Sequence, residues 1–419
     1  MKRPGFLFVT LLILLLLTSC GSAPSPALLP SAAAKTYLTT ALDYIEHTSV
    51  MSKKIDWTLE RRKAYALAGN ARTTTDTYPA IQQVLADLED NHSFFFTPQQ
   101  AKLSAEGMAT GLGLISVYPQ EVVVEVFPSS SAEQAGVQVG DSIEMINGVA
   151  ANTLDSYAFS TALAAVSVTL TLRHRDQAQT ISVTLHSGTY NKNPPPRGQR
   201  LANGLGYLAL PEFGSTDNAV RDGYATLIQQ LIRSVDQVST CGWVVDLRLE
   251  RGGDSWVMLA GVGPILGEGE VGSFVDADGK QSPWFYRNGQ ALRGQAVLAH
   301  VDAAYHLKRP MPPVAVLTSQ FTASAGEAIV VAFRGRPHTS SFGAVTAGVP
   351  TGNAPKMLSD GALLVVTAAF DADRTGRTYD SPILPNQLVG ADWTQLDTEK
   401  DPVLQAATAW LRSQRECRS

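Results

Sequence analysis

The sequence predicts a multi-domain α/β protein, and three observations carry that prediction. Apolar residues recur at helical spacing between residues 36 and 103. A β-branched, glycine-punctuated stretch follows, and from residue 206 strands alternate with helices. The expected order is an N-terminal helical segment, a small β-rich domain and an α/β core with helices packed on a sheet.

Composition supports sizeable buried cores. The chain has 419 residues, 44% hydrophobic and 17% charged, below the roughly 25% charge of an average soluble protein. Disorder is excluded on that ground, and with three cysteines so is a disulfide scaffold. Thirty-three Lys and Arg against 38 Asp and Glu leave a net charge of −5, without the basic patch that nucleic-acid binding needs.

Lys2 and Arg3 precede an apolar run from Phe6 to Leu17, shorter than the roughly 20 residues of a spanning helix. The run ends in Leu17-Thr18-Ser19-Cys20 and resembles a bacterial lipobox, so residues 1–19 are expected to be a lipoprotein signal peptide. Cys20 would then carry the lipid and tether an extracytoplasmic protein to a bacterial membrane. Residues 20–35, rich in Ser, Pro and Ala, suit a flexible spacer. Cys241 and Cys417 sit in no metal or redox spacing and are expected to be unpaired, with Cys417 in a frayed tail.

Residues 36–105 form the helical region: Leu38, Leu42 and Ile45 recur at spacings of three and four, as do Ile81, Val84, Leu85 and Leu88. Residues 106–188 read as the β-rich domain, with strands at Val122–Val126, Val168–Arg173 and Thr180–Leu185. Its centre, Ala135-Gly136 through Gly140-Asp141 to Asn147-Gly148, is similar to the signature of bacterial PDZ domains. On that resemblance Gly111, Leu112, Gly113 and Leu114 open the groove whose amides hold a peptide's terminal carboxylate.

Asn193-Pro194-Pro195-Pro196 marks a linker. The α/β domain spans 197–392, with strands at Gly206–Leu210, Trp243–Leu247, Val314–Leu317 and Leu363–Thr367 and helices between them. Residues 393–419 are a C-terminal helix and tail.

Ser324 is the best nucleophile candidate. A buried strand ends in a polar loop, and Ser324 opens the next helix, where unpaired amides and the helix dipole favour a developing oxyanion. From spacing alone, helix capping accounts for Ser324 better. Two other patterns fail. Gly140-Asp141-Ser142 is explained by the PDZ-like turn, and Thr322 stands where a Gly-x-Ser-x-Gly elbow needs its first glycine.

Asp246-Leu247-Arg248-Leu249-Glu250-Arg251-Gly252-Gly253-Asp254 also follows a strand. This block, the PDZ-like block and Thr322-Ala323-Ser324-Ala325-Gly326-Glu327 together resemble the C-terminal processing, or tail-specific, serine peptidase family, from roughly Ile81 to Val389. The resemblance implies a ClpP/crotonase-like α/β core with Ser324 as nucleophile. It also implies an oxyanion hole from the amides of Ala325 and of Gly252 or Gly253.

Well-known members of that family use a Lys about 25 residues after the Ser; here Val349 occupies the position, and Lys356 is seven residues later. Asp90-Asn91-His92-Ser93 resembles the segment of the subgroup related to nisin-resistance peptidases, where a Ser–His pair replaces Ser–Lys. His92 is therefore the expected base, with Asp90 or Glu327 as its support. The expected function is a membrane-anchored serine endopeptidase acting on polypeptides, with neither metal nor organic cofactor. A Ser–Lys peptidase using Lys356 and a non-catalytic peptide-binding lipoprotein are the alternatives.

Overall fold

The structure, a computed structural model, describes residues 29–418. The expected signal peptide and Cys20 lie outside the described residues. Ser31 caps the helix Ala32–Thr48, its Oγ accepting the Ala34 amide at 3.2 Å. The expected spacer to residue 35 therefore ends earlier, because Ala-rich residues 32–34 join the helix.

Helices Ala32–Thr48, Trp57–Ala68 and Tyr78–Asp87 bury Leu38, Leu42, Ile45, Ile81 and Leu85. These residues share a core with Leu358, Leu364 and Val366, so the helical region is not a separately packed part. Phe94–Phe96 continues from it as a strand paired antiparallel with Leu363–Asp373.

Strands Leu114–Val117, Val122–Val126, Ser142–Ile146, Ser167–Arg173 and Thr180–His186 form the β-rich domain in that spatial order. Val123, Ile143, Leu170, Leu172 and Phe159 fill its core. Asp141 is buried at the turn into the third of these strands. It accepts the Gln138 amide at 2.9 Å and contacts His174 Nδ1 at 2.8 Å. Its role is to hold a turn together.

The α/β core has a six-stranded sheet in the order Arg197–Leu201, Leu205–Ala209, Gly242–Asp246, Val314–Thr318, Thr339–Gly343 and Gln387–Leu388. All but the first run parallel to their neighbours. Leu208, Val245 and Val316 meet the helices Asn218–Val235, Ser255–Leu266 and Ala325–Phe333 on one face. Tyr207, Val244 and Leu317 meet the helix Pro402–Ser413 on the other. Apolar residues on both sides of each strand are what a covered parallel sheet requires.

A second sheet, of eight strands, contains the antiparallel meander Gly269–Asp276, Gln281–Arg287, Gln290–Arg293 and Ala296–His300. The sequence predicts only helix between the strands ending at Leu247 and starting at Val314, and this meander is not among its expected elements. The tail is not free either: Cys417 is disulfide-bonded to Cys241, with Cα atoms 5.1 Å apart. The expectation of unpaired thiols is thereby corrected. The terminal helix Pro402–Ser413 packs on the sheet and returns Cys417 to the start of the Gly242–Asp246 strand.

Candidate active site

The site lies at the carboxyl ends of two adjacent parallel strands, Gly242–Asp246 and Val314–Thr318, the usual ligand position in such sheets. The loops that follow are stitched together. Ser319 Oγ donates to Arg248 O at 2.6 Å, Thr322 Oγ1 to Leu247 O at 2.8 Å, and the Ala323 amide to Glu250 O at 3.0 Å. Arg248 is itself anchored in the interior by Asp246 and Asp401.

Ser324 is the N-cap of Ala325–Phe333, with φ 51° and ψ −111°. An ordinary N-cap is extended; a non-glycine residue held at this φ costs roughly 1–3 kcal/mol and is a feature of functional sites. Capping alone does not explain that backbone. The Ala325 amide, at the positive end of the helix, donates to no acceptor among the described residues.

The Gly-Gly loop lies against the serine. A Cβ on Gly252 would come 3.3 Å from Ser324 Cβ and 3.7 Å from its Oγ. The Gly252 amide donates to Glu250 Oε1 at 3.0 Å, while the Gly253 amide has no acceptor among the described residues.

Glu327 is fully buried and accepts four hydrogen bonds, from the Ser324, Gly348 and Val349 amides and from Thr346 Oγ1. Burial pushes its carboxyl up, and these donors oppose the shift. Asp371 lies behind it with both carboxylate oxygens unpartnered. Burial, reinforced by Glu327, holds its carboxyl well above the usual range.

His92 occupies a turn between the helix Tyr78–Asp87 and the strand Phe94–Phe96. Asp90 builds that turn, accepting the His92 and Ser93 amides at 3.0 and 2.7 Å and Ser93 Oγ at 2.6 Å. Its carboxylate is spent on the backbone. The imidazole Nδ1 instead meets Thr351 Oγ1 at 2.6 Å, and no bond joins the ring to Asp90 or Glu327. A connected path links the two catalytic candidates. Thr351 N–H donates to Val349 O at 2.8 Å, Val349 N–H to Glu327 Oε2 at 2.8 Å, and Ser324 N–H to the same oxygen at 3.2 Å. Burial lowers the His92 pKa to about 4, and the Asp90 charge only partly opposes this.

Lys356 stands five positions beyond Thr351 on the strand Thr351–Met357, about 16 Å at 3.3 Å per residue. Its ammonium lies 6.0 Å from the Tyr44 ring centroid, on the first helix. The structure does not bring it to Ser324.

Gly111–Leu114 leads into Leu114–Val117, an edge strand of the β-rich domain. The Leu112 and Gly113 amides donate to no acceptor among the described residues, and a Cβ on Gly113 would fall 2.0 Å from Ser130 Cβ. This domain reaches the site through Arg251, which bonds Glu212 at 2.7 Å and approaches Glu125 Oε2 to 3.5 Å. A cavity of about 230 Å³ at that junction, lined in part by Val124, Glu125, Arg197 and Leu249, contains neither Ser324 nor His92. Among the described residues, no group of three or more His, Cys, Asp or Glu is arranged to hold a metal ion.

Glu250, Thr351 and Asp371 were missed by the sequence reading. Glu250 stood in the block that was read, yet nothing local marked it as buried. Thr351 and Asp371 carry no motif.

Residues 204–389 match the profile of Peptidase family S41. The nisin-resistance protein of Lactococcus lactis subsp. lactis is 31% identical over 208 residues, which is 49% of this chain and 60% of that protein. A carboxyl-terminal-processing protease of a Picosynechococcus strain is 26% identical over 84% of this chain and 82% of its own length. The fold matches that of a lipoprotein from Streptococcus agalactiae with a TM-score of 0.58 at 18% identity, covering 91% of this chain and 97% of that one.

Proposed function

We propose that this chain, whose residues 204–389 match the profile of peptidase family S41, is a lipid-anchored, extracytoplasmic serine endopeptidase working through a Ser324–His92 pair. The observation that carries the reading is the strained Ser324, set between the Gly-Gly loop and a helix N-terminus and linked through Glu327, Val349 and Thr351 to His92.

Ser324 Oγ attacks the scissile carbonyl while its proton passes to His92 Nε2. The oxyanion is received by amides of Ala325 and the Gly-Gly loop. His92 then protonates the leaving amine, and water hydrolyses the acyl-enzyme with His92 again as base. For Nε2 to take the Ser324 proton, Nδ1 carries the ring hydrogen and donates it to Thr351 Oγ1, 2.6 Å away, which leaves the Nε2 lone pair free. Burial keeps the ring neutral at neutral pH, which is the form a base needs.

The β-rich domain acts as a PDZ module. Its free loop amides and edge strand suit a polypeptide that adds as a strand with its terminal carboxylate on Gly111–Leu114. The lipobox supports anchoring through Cys20.

A fluorophosphonate probe should label the wild type and not Ser324→Ala. His92→Ala should abolish peptide cleavage and Lys356→Ala should not. The reverse pattern would return the Ser–Lys reading, and no labelling with retained peptide binding would return the non-catalytic one. Cys20→Ala should release the protein from the membrane fraction.

A further inference from the structure

We propose that Glu250 is a positioning residue of the oxyanion site: its carboxyl holds the Gly252 peptide so that Gly253, together with Ala325, presents the receiving amides. The inference rests on Ser324 being the nucleophile. It resolves which glycine of the pair serves, and assigns a role to a side chain beside the reaction.

Glu250 has no exposed surface. Its Oε1 accepts the Gly252 amide at 3.0 Å, and its Oε2 has no partner. An unpartnered buried carboxyl oxygen is costly, so its retention calls for a reason beyond packing. The side chain touches both halves of the site. Its own carbonyl accepts the Ala323 amide at 3.0 Å, one residue before the nucleophile. A Cβ on Gly326, two residues after it, would fall 2.2 Å from Oε2, so this helix turn closes on Glu250 only because residue 326 is glycine.

The consequence for the loop follows from peptide geometry. The Gly252 amide is committed to Glu250, and the Gly252 carbonyl accepts the Phe213 amide at 3.4 Å. In a trans peptide the next N–H points opposite to that carbonyl, so the Gly253 amide faces away from Phe213, and it has no acceptor among the described residues. A Cβ on Gly253 would lie 1.8 Å from Phe213 O, so only glycine allows this approach. Burial also holds the Glu250 carboxyl well above the usual carboxylate range. The shift favours the uncharged carboxyl, the form that does not repel an oxyanion.

The experiment compares Glu250→Leu and Glu250→Gln with wild type for thermal midpoint, kcat and KM on one peptide. Leu removes an unsatisfied buried carboxyl oxygen but also leaves the Gly252 amide unpaired, and with these opposed the midpoint should stay within a few degrees of wild type. Meanwhile kcat should fall about 100-fold, the scale of a misplaced or lost oxyanion donor, with KM little changed. Gln keeps an acceptor at Oε1 and should retain kcat within about threefold. The proposal is overturned if Glu250→Leu keeps its kcat, or if its kcat and midpoint fall together as a purely structural role requires. Should Glu250→Leu fail to fold, Glu250→Ala is read in its place by the same criteria, and a Glu250→Gln loss beyond about tenfold at unchanged midpoint also overturns the proposal. Ser324→Ala is the separate control, since activity surviving there would sink the nucleophile assignment and not this one alone.

Discussion

Glu125 offers a quantitative test of how the β-rich domain meets the peptidase core. It sits in the strand Val122–Val126, almost fully buried, with Oε2 unpartnered in hydrogen-bonding terms. Arg251 is 3.5 Å away but bonds Glu212 instead. Burial raises the Glu125 pKa from 4.5 to about 7, against the pull of Arg251. A group with a raised folded pKa contributes stability that is fully present below its unfolded value, about 4.5, and lost as pH rises through about 7. A shift of roughly 2.5 units at 1.36 kcal/mol each amounts to about 3 kcal/mol. Glu125→Gln cannot ionise, so in urea denaturation it should match the wild type near pH 4 and exceed it by up to about 3 kcal/mol at pH 8. A gap of the same size at both pH values, or a variant weaker at pH 8, would refute the reasoning.

Three further outcomes follow from the site and the tail. With the His92 pKa lowered to about 4, the base form persists on acidification, so the acid limb of kcat/KM for the free enzyme should lie near pH 4; a limb at 6 to 7 would contradict the burial argument. Thr351→Val removes the acceptor for His92 Nδ1–H and should lower kcat by tenfold or more with KM retained, and wild-type kcat in this variant would deny Thr351 its orienting role. The Cys241–Cys417 bond spans 176 residues, for which the chain-entropy model gives about 5 kcal/mol. Reduction or Cys417→Ser should lower the thermal midpoint by several degrees, whereas two titratable thiols in the folded protein as purified would remove the premise.

Ser324 and the Gly-Gly loop were legible because each follows a strand directly, and strand-then-glycine or strand-then-helix is a local pattern. His92 stands out in the sequence through its neighbours Asp90 and Ser93, but its hydrogen-bond partner does not, because Thr351 is 259 residues away and is brought in by strand pairing. Asp90 looked like the partner by proximity. In the fold its lone pairs are consumed by the turn's own amides, a competition that short polar side chains commonly win. The meander from Gly269 to His300 escaped because its burial alternates irregularly, with a bulge between Glu270 and Gly272. The shared core of the N-terminal helices was hidden for a different reason. Periodicity reports which face is apolar, but not that Leu364 and Val366 cover it.

Buried acids around Ser324 pose an electrostatic question that donor counting answers. Glu327 gathers four donors, Glu250 one and Asp371 none. Each donor stabilises a carboxylate, and like charges nearby oppose a second ionisation. By donor count Glu327 is the acid most favoured as an anion, whereas burial first, and the charge of Glu327 after it, push the Asp371 and Glu250 carboxyls well above the usual carboxylate range. This division suits the chemistry proposed for Ser324. Charge on Glu327 would be held by the Ser324, Gly348 and Val349 amides, fixing the loop that leads to Thr351 and His92. A second anion at Glu250, against the Gly252 amide, would lie beside the developing oxyanion and raise the barrier. The loops around Ser324 thus combine one acid held by four donors with two whose ionisation burial opposes, and on the proposed reading this leaves the acceptor-free amides of Ala325 and Gly253 as the positive features offered to the reacting carbonyl.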